Sequence, residues 1–332
     1  MKARIISNIY SLADTDKLGL EIELCKYPKP PTGIGSVVKM FLKSFRYDYI
    51  VLNFIPFDVW LVAFLKLICP LNRCRLVTLD LILTVPRNFR DRLLQAGKFI
   101  LLRQVHFSMV YFKDTSGYRR YFGVKPEKFR YVPYKINAME LIQKQPVSDH
   151  GYVFCGGRSR RDFATLFDAV RDLPFPVRLV VPVNSVLRDH GSYLDESRVP
   201  ASVEVIHDDG TVESFIQHIA ASRLAVLPIL KENLSASGLG VYIMCMALRK
   251  CVVISAGPGV DDVLTSEQAV IVPPEDPRVL KEAIRRAYTD DDYRRQYEEN
   301  GFRYAMELGG DTRLRESIIS VLSEDLRARF QA

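Results

Sequence analysis

The sequence is poor in cysteine. Its six cysteines are scattered over 332 residues, no Cys-x-x-Cys occurs, and four of the six sit inside apolar runs. Zinc sites and the disulfide frameworks of small secreted proteins both need cysteines at short, regular spacings. The pattern therefore indicates buried thiols in a reducing compartment, for which we expect a cytoplasmic location and no metal site.

The sequence also has no uninterrupted run of about 20 apolar residues, which a membrane-spanning helix needs. The most apolar segment, residues 49–71, is interrupted by Asn53, Pro56, Asp58 and Lys66. The amino terminus enters a predicted strand at once and offers no signal-peptide core. Residues 58–68 are predicted to form an apolar helix that is either buried against a sheet or in contact with a membrane surface.

Motifs for nucleic-acid binding are missing too, although half of the chain is basic. Residues 1–150 hold 24 Lys and Arg against 12 Asp and Glu, and residues 151–332 hold 22 against 27. This asymmetry indicates an anionic partner for the first half only. Because no zinc-finger, RNP-type or basic-zipper pattern occurs, we expect no nucleic-acid partner and consider an anionic membrane surface instead.

Short apolar runs alternate with amphipathic stretches along almost the whole chain. This alternation is typical of parallel sheets with crossover helices. It predicts an α/β protein with two Rossmann-like domains facing a cleft. The polar segment 143–150 separates the halves, so we place the domains at 1–145 and 146–311 and expect a last helix, within 312–332, that packs back on the first domain.

One loop in the second half is suited to an anion. The apolar run that ends at Pro228 is followed by Ser235-Ala-Ser-Gly-Leu-Gly240 and a helix-like run to Lys250. Free N–H groups and the positive end of the dipole at a helix start bind phosphate well. The small residues would let a ligand approach the backbone, so a phosphorylated ligand, most plausibly a nucleotide, is predicted.

Five segments together resemble a known family. They are Phe154-Cys-Gly-Gly-Arg-Ser-Arg-Arg-Asp-Phe163, the run from Ala225 through Ser255, the segments Gly259–Leu264 and Ala269–Pro277, and Phe122–Tyr134. In this order they resemble the GT-B glycosyltransferases, in particular the retaining group called family 4. The resemblance implies a nucleotide-sugar donor bound by the second domain, and a saccharide or lipid-linked acceptor.

The resemblance also implies roles for individual residues. Arg158, with Arg160 or Arg161, would neutralise the donor diphosphate, since guanidinium groups bind phosphate oxygens in pairs. A solvated basic turn is the alternative. The remaining donor-binding residues are expected to be Gly157, Ser237, Gly238, Leu239 and Asp262. For the Ser237–Leu239 amides the alternative is plain helix capping, and for Asp262 it is a local turn.

Two departures from the family pattern bear on catalysis. The family carries two glutamates across the loop and helix, and the helix alignment puts Ala236 and Met244 at those positions. Aligned from the preceding strand, Glu232 takes the place of the first glutamate. The family's histidine after a Val-Thr-Val strand is replaced by Asp80, which could accept a hydrogen bond from a sugar hydroxyl, act as a base, or cap the following residues.

The predicted activity is transfer of a sugar from a nucleotide diphosphate, with retention of anomeric configuration. Stabilisation of the departing diphosphate by arginines and helix-start amides would need no metal and no cofactor. Two alternatives stay open. One is a catalytically silent protein of the same fold that binds a nucleotide sugar or a partner, and the other is a nucleotide-sugar epimerase, for which the sequence offers few carboxylates and histidines.

Overall fold

The computed structural model describes residues 3–9, 12, 20–24, 33–86 and 88–331, so Cys25 lies outside the described residues. The chain divides into two compact units, one formed by Met1–Val132 with Arg315–Ala332 and the other by Pro133–Leu314. Each unit holds a six-stranded sheet in which every pairing between described strands is parallel. The predicted α/β class with two Rossmann-like sheets is confirmed.

The first unit has the strand order β2-β1-β3-β4-β5-β6. Its strands are β1 Ala3–Ser7, β2 Leu20–Leu24, β3 Tyr49–Asn53, β4 Arg75–Leu79, β5 Val105–Val110 and β6 Phe129–Tyr131. Its helices are α1 Ile34–Lys43, α2 Pro56–Ile68, α3 Phe89–Leu102 and α4 Ser116–Phe122. The crossovers β3–α2–β4 and β4–α3–β5 both move the chain across the sheet in the same direction. Right-handed connections therefore place α2 and α3 on the same face of the sheet.

The second unit has the strand order β12-β11-β10-β7-β8-β9. Its strands are β7 Val153–Gly156, β8 Val177–Val181, β9 Val203–His207, β10 Leu224–Leu227, β11 Val252–Ser255 and β12 Val270–Val272. Its helices are α5 Met139–Lys144, α6 Phe163–Val170, α7 Asn184–Asp189, α8 Val212–Ala220, α9 Leu239–Ala247, α10 Pro277–Thr289 and α11 Asp291–Leu308. Side chains of β7, β8, β10 and β11 form its core with apolar residues of α6 and α10.

The last helix, α12 Asp311–Gln331, begins in the second unit and continues in the first. Its Asp325 accepts hydrogen bonds from Tyr49 Oη at 2.5 Å and from Arg75 Nη1 at 2.6 Å. His106 Nε2 lies 3.0 Å from the same carboxylate. Tyr49, Arg75 and His106 stand at the starts of β3, β4 and β5, so one carboxylate ties α12 to three neighbouring strands.

Two local features differ from the sequence predictions. The segment expected to be an interdomain linker, 143–150, lies in the second unit, where the amide of Ser148 donates to Ala220 O at 3.0 Å and Lys250 Nζ donates to Ser148 O at 2.8 Å. The apolar run around His106 predicts a core histidine, but the residue is half-buried and paired with Asp325. No described helix is long and apolar enough to cross a membrane.

Candidate functional site

Strands β7 and β10 lie side by side, but the chain leaves them in opposite directions along the sheet. From β7 it continues outward to β8 and β9, and from β10 it continues to β11 and β12 on the other side. In open α/β sheets this switch of direction leaves a crevice at the carboxyl ends of the two strands, where ligands bind. The loops that occupy this position are 157–162 after β7, the arginine loop, and 228–238 after β10, the serine-glycine loop.

The two loops are joined by backbone hydrogen bonds. The amide of Asp162 donates to Pro228 O at 3.1 Å, and the amide of Leu230 donates to Arg160 O at 2.9 Å. These bonds give the arginine loop a fixed position beside the serine-glycine loop. The structure therefore brings together the two segments that the sequence analysis assigned separately to the donor diphosphate.

Arg161 is the most unusual side chain of the site, because it is 2% exposed and still carries a guanidinium group. Its Nε donates to Gly156 O at 2.8 Å and its Nη1 to Ser159 O at 3.0 Å. Burial lowers the pKa of Arg161, and the groups that oppose this shift are the thiols of Cys155 and Cys245. Among the described residues no carboxylate forms an ion pair with it.

A buried cation without a carboxylate partner is costly unless another anion compensates it. Two glycines leave room beside the Arg161 guanidinium. A Cβ atom at Gly157 would lie 2.5 Å from Arg161 Nη2, and a Cβ atom at Gly238 would lie 3.3 Å from Nη1. Gly157 has φ +97° and Gly238 φ +83°, values that side-chain-bearing residues rarely adopt. The backbone conformation favours glycine at both positions, and at Gly157 a Cβ atom would also collide with the guanidinium.

Helix α9 begins next to this guanidinium. Gly238 is its N-cap residue and Leu239 its first residue, so the amides around Ser237–Leu239 have no acceptor inside the helix. Ser237 is buried, and Gly238 has no side chain to block the approach of a ligand. The positive end of α9 and the Arg161 guanidinium are therefore neighbours, and both favour an anion.

The loop after β11 supports the start of α9 from another side. Tyr242 of α9 donates its hydroxyl to Gly259 O at 2.8 Å. The carboxylate of Asp262 accepts from the Gly259 amide at 2.7 Å, and Asp261 accepts from the Gly257 amide at 2.8 Å. The bond to Asp262 agrees with the alternative given for this residue, a local turn. Both bonds hold the loop after β11 in its conformation.

The other predicted residues have more varied positions. Arg158 is exposed, whereas Arg160 has φ +53° and packs its guanidinium over Gly191. Glu232 lies exposed in the serine-glycine loop, and Met244 is buried on α9. Arg160 contacts the serine-glycine loop through its backbone carbonyl, whereas Arg161 places its guanidinium beside Gly238 of that loop.

Asp80 belongs to the first unit, at the carboxyl end of β4. It has φ +59°, an uncommon conformation that Asp tolerates better than most residues. The residue is partly exposed, yet burial of its carboxyl group raises the pKa to about 6. Helix α3 is capped by Asn88, whose side chain accepts from the Asp91 amide at 2.9 Å. The cap of the helix that follows β4 is therefore Asn88 and not Asp80.

Ser192 is a residue that the sequence analysis missed. Its hydroxyl accepts a hydrogen bond from the Arg161 amide at 2.8 Å and donates one to Arg158 O at 2.7 Å. Ser192 is 3% exposed and follows α7, a helix of six residues. No local sequence pattern identifies Ser192, because its role depends on hydrogen bonds to residues about thirty positions earlier in the chain.

Comparison with known proteins agrees with this geometry. Residues 189–290 match the family described as Glycosyl transferases group 1, which is less than a third of the chain. This segment contains the serine-glycine loop, α9 and the loop after β11. No curated protein sequence matches the chain.

Solved structures match over nearly the whole length. HepE from Anabaena, in complex with UDP, is 14% identical at a TM-score of 0.66, covering 98% of this chain and 100% of that one. Sucrose-phosphate synthase from Thermosynechococcus elongatus is 18% identical at a TM-score of 0.65, and the match covers 93% of this chain and 84% of that one. The α,α-trehalose 6-phosphate synthase of Burkholderia multivorans is 11% identical at a TM-score of 0.58, and the match covers 89% of this chain and 77% of that one.

The protein therefore has the GT-B glycosyltransferase fold, and its residues 189–290 match the model of the group 1 glycosyltransferase family. The resemblance found in the sequence is confirmed at this level, and it supports an enzyme of the glycosyltransferase class, EC 2.4. The finer assignment to the retaining family 4 group stays a prediction.

Proposed function

We propose that the protein transfers a sugar from a nucleotide-diphosphate donor to a saccharide or lipid-linked acceptor, with retention of anomeric configuration. The observation that carries the proposal is the buried guanidinium of Arg161, unpaired with any described carboxylate, next to the start of α9. A diphosphate would supply the missing negative charge and would accept hydrogen bonds from the amides of Ser237–Leu239.

The same groups would favour the reaction as well as binding. When the glycosidic bond to the donor phosphate breaks, negative charge grows on the leaving diphosphate. Fixed donors aimed at that charge stabilise the transition state more than the ground state. Arg161 and the α9 amides would act in this way, and the exposed Arg158 would add a second cation. Asp80 and Glu232 are proposed to accept hydrogen bonds from sugar hydroxyls.

The proposed donor class is a nucleoside diphosphate sugar, and uridine compounds are the first to test. The HepE structures contain UDP, UDP with glucose, and UDP-glucose. These ligands are properties of HepE, and they serve here as a choice of probes. The first screen is a thermal-shift series with different nucleoside diphosphates and their sugars, on wild type and Arg158→Ala. A ligand at about 100 times its dissociation constant stabilises a fold by about 2.7 kcal/mol.

The test of the activity itself is release of nucleoside diphosphate from the sugar donor that gives the largest shift. We expect slow release with water and faster release with a suitable acceptor, and we expect the product to keep the anomeric configuration of the donor. Binding without any release would identify the silent alternative, and an interconverted nucleotide sugar would identify an epimerase.

Metal independence is a separate part of the proposal. Among the described residues no group of three or more His, Cys, Asp and Glu side chains is placed to hold a metal ion. We propose that the cations of the chain itself neutralise the diphosphate. Turnover should therefore be the same with EDTA as with added Mg²⁺, and activity that is abolished by EDTA and restored by Mg²⁺ would overturn this part.

A further inference from the structure

Helix α3 turns its apolar side chains away from the protein. Of its 14 residues only Leu102 is buried. Phe89 is 83% exposed and Leu93 67%, and Leu94 and Ile100 are also exposed. An amphipathic helix of a globular protein normally packs its apolar face on the core, and this one leaves that face without a partner in the described chain.

Helix α2 packs beside α3 and extends the same kind of surface. Phe57, Phe64 and Ile68 are exposed at spacings that place them on one side of α2, and Leu71, in the turn after it, is 82% exposed. We define the α2–α3 surface by these exposed apolar residues, namely Phe57, Phe64, Leu67, Ile68, Leu71, Phe89, Leu93, Leu94 and Ile100. Large exposed apolar patches of this kind mark interaction sites.

Positive charge predominates in the segment that carries this surface. Residues 33–103 contain eleven Lys and Arg and four Asp, with no Glu. Of the four aspartates, Asp58 is buried and Asp48 is paired with Arg329. Arg73, Arg90 and Arg92 are exposed at the ends of the two helices. An apolar face with a cationic border matches the headgroup and outer acyl region of an anionic bilayer.

We propose that the α2–α3 surface docks the protein on an anionic membrane, with the apolar side chains in the headgroup region and the arginines at the lipid phosphates. No described helix can span the bilayer, so the helices lie on it. A second copy of this chain is a poorer occupant. A two-fold contact would place this basic surface against itself, and like charges would oppose the pairing. This inference does not depend on the identity of the sugar donor.

The test is cosedimentation with vesicles of phosphatidylcholine alone and of phosphatidylcholine mixed with phosphatidylglycerol. Wild type should bind the mixed vesicles in a salt-sensitive way and the neutral ones weakly. Arg90→Gln with Arg92→Gln should weaken binding to the mixed vesicles about 30-fold, since each basic residue near the surface contributes about fivefold. Phe89→Ser with Leu93→Ser should weaken binding to both kinds of vesicle.

Matched controls come from exposed residues of the second unit. Arg171→Gln with Arg285→Gln removes the same charge, and Val212→Ser removes an exposed apolar side chain, so both should bind as wild type does. Trp60, the only tryptophan of the chain, lies on α2, and brominated phosphatidylglycerol should quench its fluorescence.

Three results would overturn the proposal. The first is that wild type does not bind the mixed vesicles at low salt. The second is that wild type and both surface variants bind equally well. The third is that the protein forms a dimer in solution through this surface and does not bind vesicles. The thermal shift with UDP is measured on the same variants. An unchanged shift shows an intact donor site, so a failure of membrane docking is distinguishable from a failure of the proposed activity.

Discussion

The guanidinium of Arg161 and the backbone of Gly238 lie against each other, so that a Cβ atom at Gly238 would come within 3.3 Å of Arg161 Nη1. This contact joins the loop after β7 to the start of α9. It places a buried positive charge beside the free amides of a helix, which is the arrangement that a diphosphate requires. Variants on the two sides of this contact separate its role in binding from its role in folding.

Replacing Gly238 by alanine should disturb both backbone and site. The residue has φ +83°, for which a Cβ atom costs about 1–2 kcal/mol of folding free energy. The methyl group would also press on Arg161 and cover the α9 amides. We expect UDP binding by Gly238→Ala to weaken at least about tenfold, which is about 1.4 kcal/mol.

Gly210 supplies the matched control for this variant. It has φ +78°, and a Cβ atom there would meet no other atom within 4 Å. Gly210→Ala should therefore lose a similar amount of stability in a denaturant titration and bind UDP as wild type does. Equal UDP affinities of the two alanine variants would contradict the assignment of Gly238.

Ser192 is expected to act as a positioning residue for the arginine loop. Ser192→Ala removes one acceptor for the Arg161 amide and one donor to Arg158 O. A buried hydrogen bond that loses its partner costs about 1–3 kcal/mol. Donor affinity should fall, and kcat for the bound donor should change less than KM. Ser197→Ala, at an exposed turn in the same segment, is the control that should leave both constants unchanged.

Asp80 should show opposite effects on stability and activity. Its folded pKa of about 6 lies above the ordinary 3.8, so the folded state holds this proton more tightly than the unfolded state does. The resulting stability is present below pH 3.8 and is lost as the pH rises through about 6. Asp80→Asn avoids that loss and should be more stable than wild type at neutral pH.

Activity of the same variant should fall, because the amide nitrogen of asparagine cannot replace a carboxylate oxygen as an acceptor. Wild-type turnover should also decline below about pH 6 as Asp80 becomes protonated. Melting temperatures and initial rates, each measured across pH, give the two readouts. An Asp80→Asn protein that is both fully active and no more stable than wild type would remove Asp80 from the site.

Asp325 should determine how firmly α12 is held on the first unit. Burial opposes its charge, but hydrogen bonds from Tyr49 and His106 outweigh this and lower the pKa of its carboxyl group. The stability it contributes is therefore present above the ordinary value of 3.8 and lost as the pH falls below it. Asp325→Asn should cost about 1–3 kcal/mol at neutral pH.

The difference in melting temperature between wild type and Asp325→Asn should shrink as the pH falls below 3.8. Arg329→Ala, which removes an exposed ion pair with Asp48 from the same helix, is the control and should change stability by less than about 1 kcal/mol. A pH-independent difference for Asp325→Asn would show that its charge is not what holds the helix.

Much of the fold could be predicted because the strands are apolar runs with clear limits. The sequence predicts strands over 20–24 and 75–79 and a helix over 116–122, and these are the bounds of β2, β4 and α4 in the structure. The short helices α5 and α7 were missed, since six residues are too few to show a helical period. The small-residue segment 235–240 is predicted to lead into a helix, and α9 begins within it at Leu239, after Gly238 at φ +83°.

The site was harder to predict than the fold. The sequence indicated three arginines and a small-residue loop, but it could not show which arginine meets the loop. Burial of Arg161 depends on the backbone of Pro228–Leu230, which is distant in sequence and adjacent in the sheet. The exposure of α3 was not predicted either, because its apolar spacing is the one that a core-packed helix would have.

The most direct test of the central claim is a calorimetric titration of UDP into wild type and Arg161→Met, with Arg171→Met as the control. Methionine fills similar space without a buried charge, so the variant should still unfold cooperatively. We predict that Arg161→Met loses detectable UDP binding, while Arg171→Met, altered at the exposed end of α6, binds as wild type does. Unchanged UDP affinity in a folded Arg161→Met protein would contradict the account.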